Sequence, residues 1–551
     1  MANGGGLFVR GNFSAEKSTV HFEKCASKKM GGGGLFVSKV LHAETSTLQF
    51  ENCTSQRNGG GMSVRNFLQS GSSAADFRSC IAKKGGGLCA GNVSQTETSS
   101  VHFENCKART GGGLFVTGDF EQAKNSTAYF VDCFSRNDGG GSYVEGSFVQ
   151  AEKSTVRFER CISEGSGGGL HLFGDFKQNK SSGAYFENCR SEGEGGGLNI
   201  IKGGGFLQAE QSRAHFERCT SNSYGGGLHV EGSFLQAAES TARFARCASN
   251  RSGGGCSASG LRQDRKSAVH FQHCHSEGAG GGLNVEGVFW QAEKSRAHFE
   301  WCTSQQAGGG MRVMGDLNQD KNSTVHFESC SSEGGGGGLS TIGSFTQAEQ
   351  STAHFERCNS KTTGGGSYVH TDFKQDKNSN VHFESCASEG DGGGFYVGGS
   401  FQQAEKSTAH FERCISKQRG GGLFVEYEFK QDKDSTLHFG KCSSEDDSED
   451  DGVRGRGGGG MYIDGSLTQA ENSTAHFERC TSAHAGGGLF VSIDFKQGKN
   501  STLRCENCSS EGDGVSAAMA RGEAATVITS RLACAAAKEA RGGGFARAQG
   551  D

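Results

Sequence analysis

The chain has 551 residues, of which 91 are glycine and none is proline, where ordinary usage would give roughly 28 prolines. Collagen is excluded, because its triple helix needs proline with glycine at every third position, and proline-rich linkers are excluded with it. Apolar side chains make up 33% with no long apolar run, and 56 Lys+Arg stand against 61 Asp+Glu, so neither a membrane helix nor the basic surplus of a nucleic-acid binder is expected. Met1-Ala2-Asn3 runs straight into Gly4-Gly5-Gly6. That leaves no room for a charged and then apolar leader, so no export signal is expected in this stretch, which fits a fragment.

Self-similarity organises everything else. A unit reading GGG-L-F-V-x-G-x-F-x-Q-A-E-K-S-T-A-H-F-E-R-C-x-S recurs from Cys25 to Cys508 in eighteen copies, most of them 28 residues apart. Each unit opens on a glycine triplet followed by a short alternating segment such as Gly169-Leu170-His171-Leu172, which reads as a strand. A second short segment follows, as at Asp175-Phe176-Lys177-Gln178. The third is Ser154-Thr155-Val156-Arg157-Phe158-Glu159 and its counterparts, where Val156 and Phe158 share one face.

Three short strands per unit, joined by turns too short for crossover helices, predict a coil. Stacked coils give an all-β fold: a parallel β-solenoid, or β-helix, of about 18 coils with about 28 residues each. At an inter-strand spacing of about 4.8 Å the rod would be about 86 Å long. Residues 1–514 form this domain. The run Glu445-Asp446-Asp447-Ser448-Glu449-Asp450-Asp451 opens an insertion near 445–456 that reads as a solvated acidic loop, since Gly458 stands where an EF-hand would need its bidentate Glu. Residues 515–551 are an Ala-rich tail, either a frayed cap or a helix.

A solenoid is read down its columns. Phe22, Phe50, Phe77 and their equivalents to Phe477 form one column, broken only by Cys505 in the last unit, and are expected to stack as core. The position after Q-A or Q-D alternates in sign, as in Lys321, Glu349, Lys377, Glu405, Lys433 and Glu471, so neighbouring coils should pair there. The cysteine column has three readings. Disulfides would need local distortion, a metal site would need ligands from several directions, and buried thiols packing as small hydrophobes need neither; the last is favoured. The histidine column, His270, His298, His326, His354, His382, His410, His438 and His476 among others, faces outward and reads as a tolerant solvent-facing ladder rather than as metal ligands. Five successive coils carry an outward aromatic after GGG-L: Tyr368, Tyr396, Phe424, Tyr462 and Phe490. This stripe is the candidate partner-binding site, for a glycan or a protein, with cross-strand stiffening as the equally weighted reading.

No phosphate loop, zinc motif or nucleophile elbow occurs, and Cys505-x-x-Cys508 only juxtaposes a core position with the cysteine column. No catalytic residue, cofactor or metal is called for. Sequons such as Asn125-Ser126-Thr127, Asn322-Ser323-Thr324 and Asn500-Ser501-Thr502 matter only for a secreted chain.

The anchors GGG[LM] and F-x-x-C resemble the GGA[ILV] and F-x-x-N repeats of chlamydial polymorphic outer membrane proteins. Cysteine takes the place of the motif asparagine, as in Phe186-Glu187-Asn188-Cys189. The resemblance covers roughly residues 1–514 and implies a right-handed parallel β-helix of the pectin-lyase-like superfamily, displayed at a cell surface and adhesive. The expected function is thus a non-enzymatic structural or adhesive surface. A polysaccharide lyase or hydrolase on the same scaffold is the alternative, and it would need Asp, Lys or Arg clustered on one face where the repeat breaks.

Overall fold

The computed structural model describes residues 5–29, 31–445 and 457–511. The insertion at 446–456 and the tail at 515–551 lie outside them. Every strand pair is parallel, and among the described residues there is no helix.

One central coil shows how the unit closes. From Gly280 the chain runs through strand Leu283–Val285 and strand Phe289–Gln291, turns at Lys294, runs through Arg296–Glu300, turns again at Trp301, and ends in the short strand Thr303–Ser304. Each segment pairs with its own copy 28 residues on: Leu283 with Met311, Gln291 with Gln319, Phe299 with Phe327 and Ser304 with Ser332. Three sheets result. The first contains the strands after the glycine triplet together with the F-x-Q strands, the second the T-A-H-F-E strands, and the third the two-residue strands after the cysteine. Across the insertion the register is undisturbed, with Leu423 opposite Met461 and Phe439 opposite Phe477. On either side of the insertion Ser444 pairs with Ser482 and Gly457 with Ala485.

Proline is excluded from such strands because nearly every N–H donates to a neighbouring coil. Two of the corners use left-handed backbone without glycine, with φ of 59° at Lys294 and 52° at Trp301. A side chain at positive φ costs about 1–2 kcal/mol, and the ladders on both sides hold these residues there.

The interior is a set of columns, each filled by one residue type or a few small and apolar substitutes. Leu283, Val285, Phe289, Phe299 and Cys302 are fully buried. The rings of Phe299 and Phe327 stack at 4.8 Å and 11°, and those of Phe327 and Phe355 at 4.9 Å and 8°. A second column, from Phe120 to Phe429 with Leu261 and Leu317 among its members, stacks its first rings but tilts the later ones, as at Phe401 and Phe429 (59°).

Glutamine lies inside as well. The F-x-Q spacing puts it on the same face as the phenylalanine, and a buried amide needs partners for all its polar atoms. The amides satisfy one another: Gln319 Nε2 donates to Gln291 Oε1 at 3.2 Å and to the Thr352 carbonyl at 3.2 Å, and Gln347 Nε2 donates to Gln319 Oε1 at 3.0 Å. This chain of amides is unbroken from Gln122 to Gln375. Gln319→Leu keeps the volume but strands the Gln291 oxygen and a Gln347 N–H. At about 1–3 kcal/mol for each buried unsatisfied group, a loss of about 2–4 kcal/mol is expected in urea unfolding, and an unchanged midpoint would contradict the ladder.

Candidate binding surface

The residue after GGG-L points away from the core, and in the five C-terminal coils these aromatics stack as a continuous pile. Ring centroids are 5.1 Å apart for Tyr368 and Tyr396, 4.9 Å for Tyr396 and Phe424, 5.3 Å for Phe424 and Tyr462, and 4.8 Å for Tyr462 and Phe490. The pile is less open than its outward direction implies. Phe424 and Tyr462 are only 2% exposed, because the turn before the glycine triplet folds over them. Arg419 reaches from that turn, its guanidinium 4.6 Å from the Phe424 ring centre and 5.3 Å from that of Tyr462. Buried Asp391 holds it there, accepting from Arg419 Nε at 3.0 Å and from a terminal nitrogen at 2.7 Å. The stripe therefore offers edges and hydroxyls at Tyr368 and Tyr396 but no open ring faces at its centre.

The accessible aromatic surface lies one step further along the same coils. A shallow depression is lined by Glu426, Tyr427, Glu428, Asp464, Gly465, Ser466 and Ile493. Tyr427 is 61% exposed and Ile493 58%. The depression is continuous with the stripe, since the Tyr396 hydroxyl donates to Glu426 at 3.3 Å and the Tyr462 hydroxyl to Asp464 at 3.4 Å. Burial beside Glu426 pushes the Tyr396 phenol up, so that hydroxyl stays a protonated donor. Tyr427 and Ile493 were detectable in the sequence, where they replace the small residues Gly399 and Gly465 of neighbouring units.

The alternating charge column pairs as its signs require, with Lys124 to Glu152 at 3.0 Å, Lys180 to Glu210 at 3.1 Å, Lys321 to Glu349 at 2.9 Å and Lys377 to Glu405 at 3.1 Å. These exposed pairs contribute about 0–1 kcal/mol each. The column cysteines from Cys25 to Cys508 are free thiols. Each buried sulfur donates to a phenylalanine carbonyl of the preceding coil, as Cys302 does to Phe271 at 3.6 Å. Burial raises Cys302 and Cys330 above the usual thiol range, which keeps them protonated and unreactive.

The histidine column is half-buried rather than freely solvated. Rings of His270, His298, His326 and His354 stack at 4.7–4.8 Å. Burial, together with the neighbouring imidazoles His298 and His354 and the Arg357 guanidinium, takes His326 down to about 4 against the opposing pull of Glu328. Burial likewise lowers His270, His382, His410 and His438, opposed by Glu300, Glu384 and Glu412. These groups bind fewer protons folded than unfolded. Their contribution to stability is therefore complete above the unfolded pKa of about 6.5 and is lost as pH falls through the lowered folded values, about 4 at His326. A lower melting temperature is expected at about pH 5 than at about pH 7.5, and an equal or higher one would contradict the buried ladder.

No known family model matches the chain, and no curated protein or solved structure matches it. The resemblance to the outer-membrane repeats rests on the two short motifs alone. Among the described residues no helix is long and apolar enough to cross a membrane.

Proposed function

We propose that this solenoid is a non-enzymatic structural rod whose C-terminal coils present an adhesive surface for a glycan. The observation that carries the reading is the depression beside the aromatic pile, where exposed Tyr427 stands among Glu426, Glu428 and Asp464. An exposed ring flanked by carboxylates suits a sugar, whose apolar face stacks on the aromatic while its hydroxyls donate to the acids. Repetition supports a binding role over catalysis, because a reaction centre needs a constellation unlike its surroundings. The outer-membrane likeness extends the proposal to display at a cell surface.

The test is a glycan array probed with the wild-type chain and with Tyr427→Ala. Tyr427 makes no core contact that the fold needs, so unfolding should be unchanged while binding weakens by about tenfold, the upper end of what one aromatic stacking contact contributes. Equal binding by the variant, or no glycan bound by the wild type, would count against the surface.

A further inference from the structure

The second sheet carries, on its outer face, a histidine and two residues later a glutamate, and the in-register pairing of coils sets each such pair beside the next: His298 and Glu300 lie opposite His326 and Glu328. Among the stacked rings the Nε2 atoms of His298, His326 and His354 are shielded from solvent and have no hydrogen-bond partner. Unpartnered nitrogens of this kind are lone pairs or N–H groups held in place with nothing to bind.

In four places two ring nitrogens and a carboxylate oxygen lie within 4.8 Å of one another: His298, His326 and Glu328; His326, His354 and Glu356; His354, His382 and Glu384; and His410, His438 and Glu412. Two imidazoles and a carboxylate are a donor set for zinc and the neighbouring divalent transition metals rather than for magnesium or calcium. A tetrahedral ion bound at 2.0–2.1 Å to two nitrogens needs them about 3.3 Å apart. His410 Nε2 and His438 Nδ1 stand 3.3 Å apart. In the flat stacks the nitrogens are further apart, and a turn about χ2, a broad torsion, closes the gap. That turn is already taken further along, where interplanar angles are 77° for His354 with His382, 46° for His382 with His410 and 71° for His410 with His438.

We propose that the histidine ladder is a linear array of sites for zinc-class divalent ions. Adjacent triads share a histidine, so three ions fill it at once: His298–His326–Glu328, His354–His382–Glu384 and His410–Glu412–His438. The sequence alone favours a tolerant solvated ladder at these positions. What changes the reading is the shared register, which brings donors from separate coils to one point.

The test uses the full chain without an affinity tag, dialysed against micromolar zinc chloride at neutral pH, with bound metal counted by atomic absorption. About three zinc ions per chain are expected. His326→Gln, His382→Gln and His438→Gln should each remove one ion, and the triple variant all three. Glutamine is tolerated there, since Gln49 occupies the same column opposite His21, and a far-UV spectrum confirms folding. Cobalt substitution gives a second readout, with nitrogen and oxygen ligands showing no thiolate charge-transfer band. Full zinc retention by the triple variant, less than one ion on the wild type, or a thiolate band would each overturn the proposal.

Discussion

Gly281→Ala is expected to cost about 4 kcal/mol or more. A Cβ built at Gly281 would lie 2.2 Å from the Thr303 carbonyl oxygen and 2.3 Å from that of Gly309. Thr303 closes the same coil and Gly309 opens the next, and neither can retreat. The Gly281 N–H donates to Gly308 at 3.2 Å, the Gly282 N–H to Gly310 at 2.9 Å, and the Thr303 N–H to Cys274 at 2.9 Å. The methyl must therefore wedge two coils apart, adding the strain of overpacking to the loss of several ladder hydrogen bonds at about 1 kcal/mol each. Gly260→Ala is the control. Its added Cβ meets nothing nearer than 3.5 Å, so its unfolding midpoint should barely move. Equal effects at the two sites would show that the triplet is not under contact from the next coil.

Phe327→Ala is the second large effect, at about 3–5 kcal/mol for an emptied aromatic position in a packed core. Phe327 is fully buried and stacks on both Phe299 and Phe355, so the cavity lies in mid-column where no side chain can collapse into it. In a stack whose units touch only their neighbours, a central defect separates two halves that are each still long enough to stand. Limited proteolysis of the variant should then give fragments cut near residue 327 while the wild type resists. The last coil shows how the column ends naturally: Cys505 takes the aromatic position opposite Phe477, and Phe495 beside it is 38% exposed.

The columns were legible because a parallel solenoid maps sequence spacing directly onto space. A residue 28 positions on is the neighbour in the next coil, so the phenylalanine stack, the alternating Lys and Glu pairs and the cysteine line follow from the repeat itself. Features set by contacts between different segments of the unit were not legible. Nothing in the spacing says that the turn carrying Arg419 folds over Phe424 and Tyr462, which depends on the buried Asp391 one coil earlier. The left-handed corners were hidden by the variety of residues at them, Lys, Arg, Ser, Gln and Glu among others, although Asn at 125, 322, 378 and 472, all with positive φ, is the residue that tolerates that conformation. Gln291 and its equivalents are polar, and residue type alone does not place them inside. Their place two residues from a buried phenylalanine was the available signal, and the amide ladder is the reason a polar residue can occupy it. The histidine clusters needed the ring orientations, which no spacing supplies.

Positions a full unit apart in sequence are a single strand spacing apart in space, and the columns follow from that relation. Pulsed electron-electron double resonance between genetically encoded spin labels at exposed Lys180 and Lys321, 141 residues apart in the chain, measures it. Five coil steps of about 4.8 Å give an expected separation of about 24 Å, and moving the second label from Lys321 to Lys377, two coils further, should lengthen it by about 10 Å. A broad distribution, or a separation that does not grow in proportion to the number of coils, would contradict the stack.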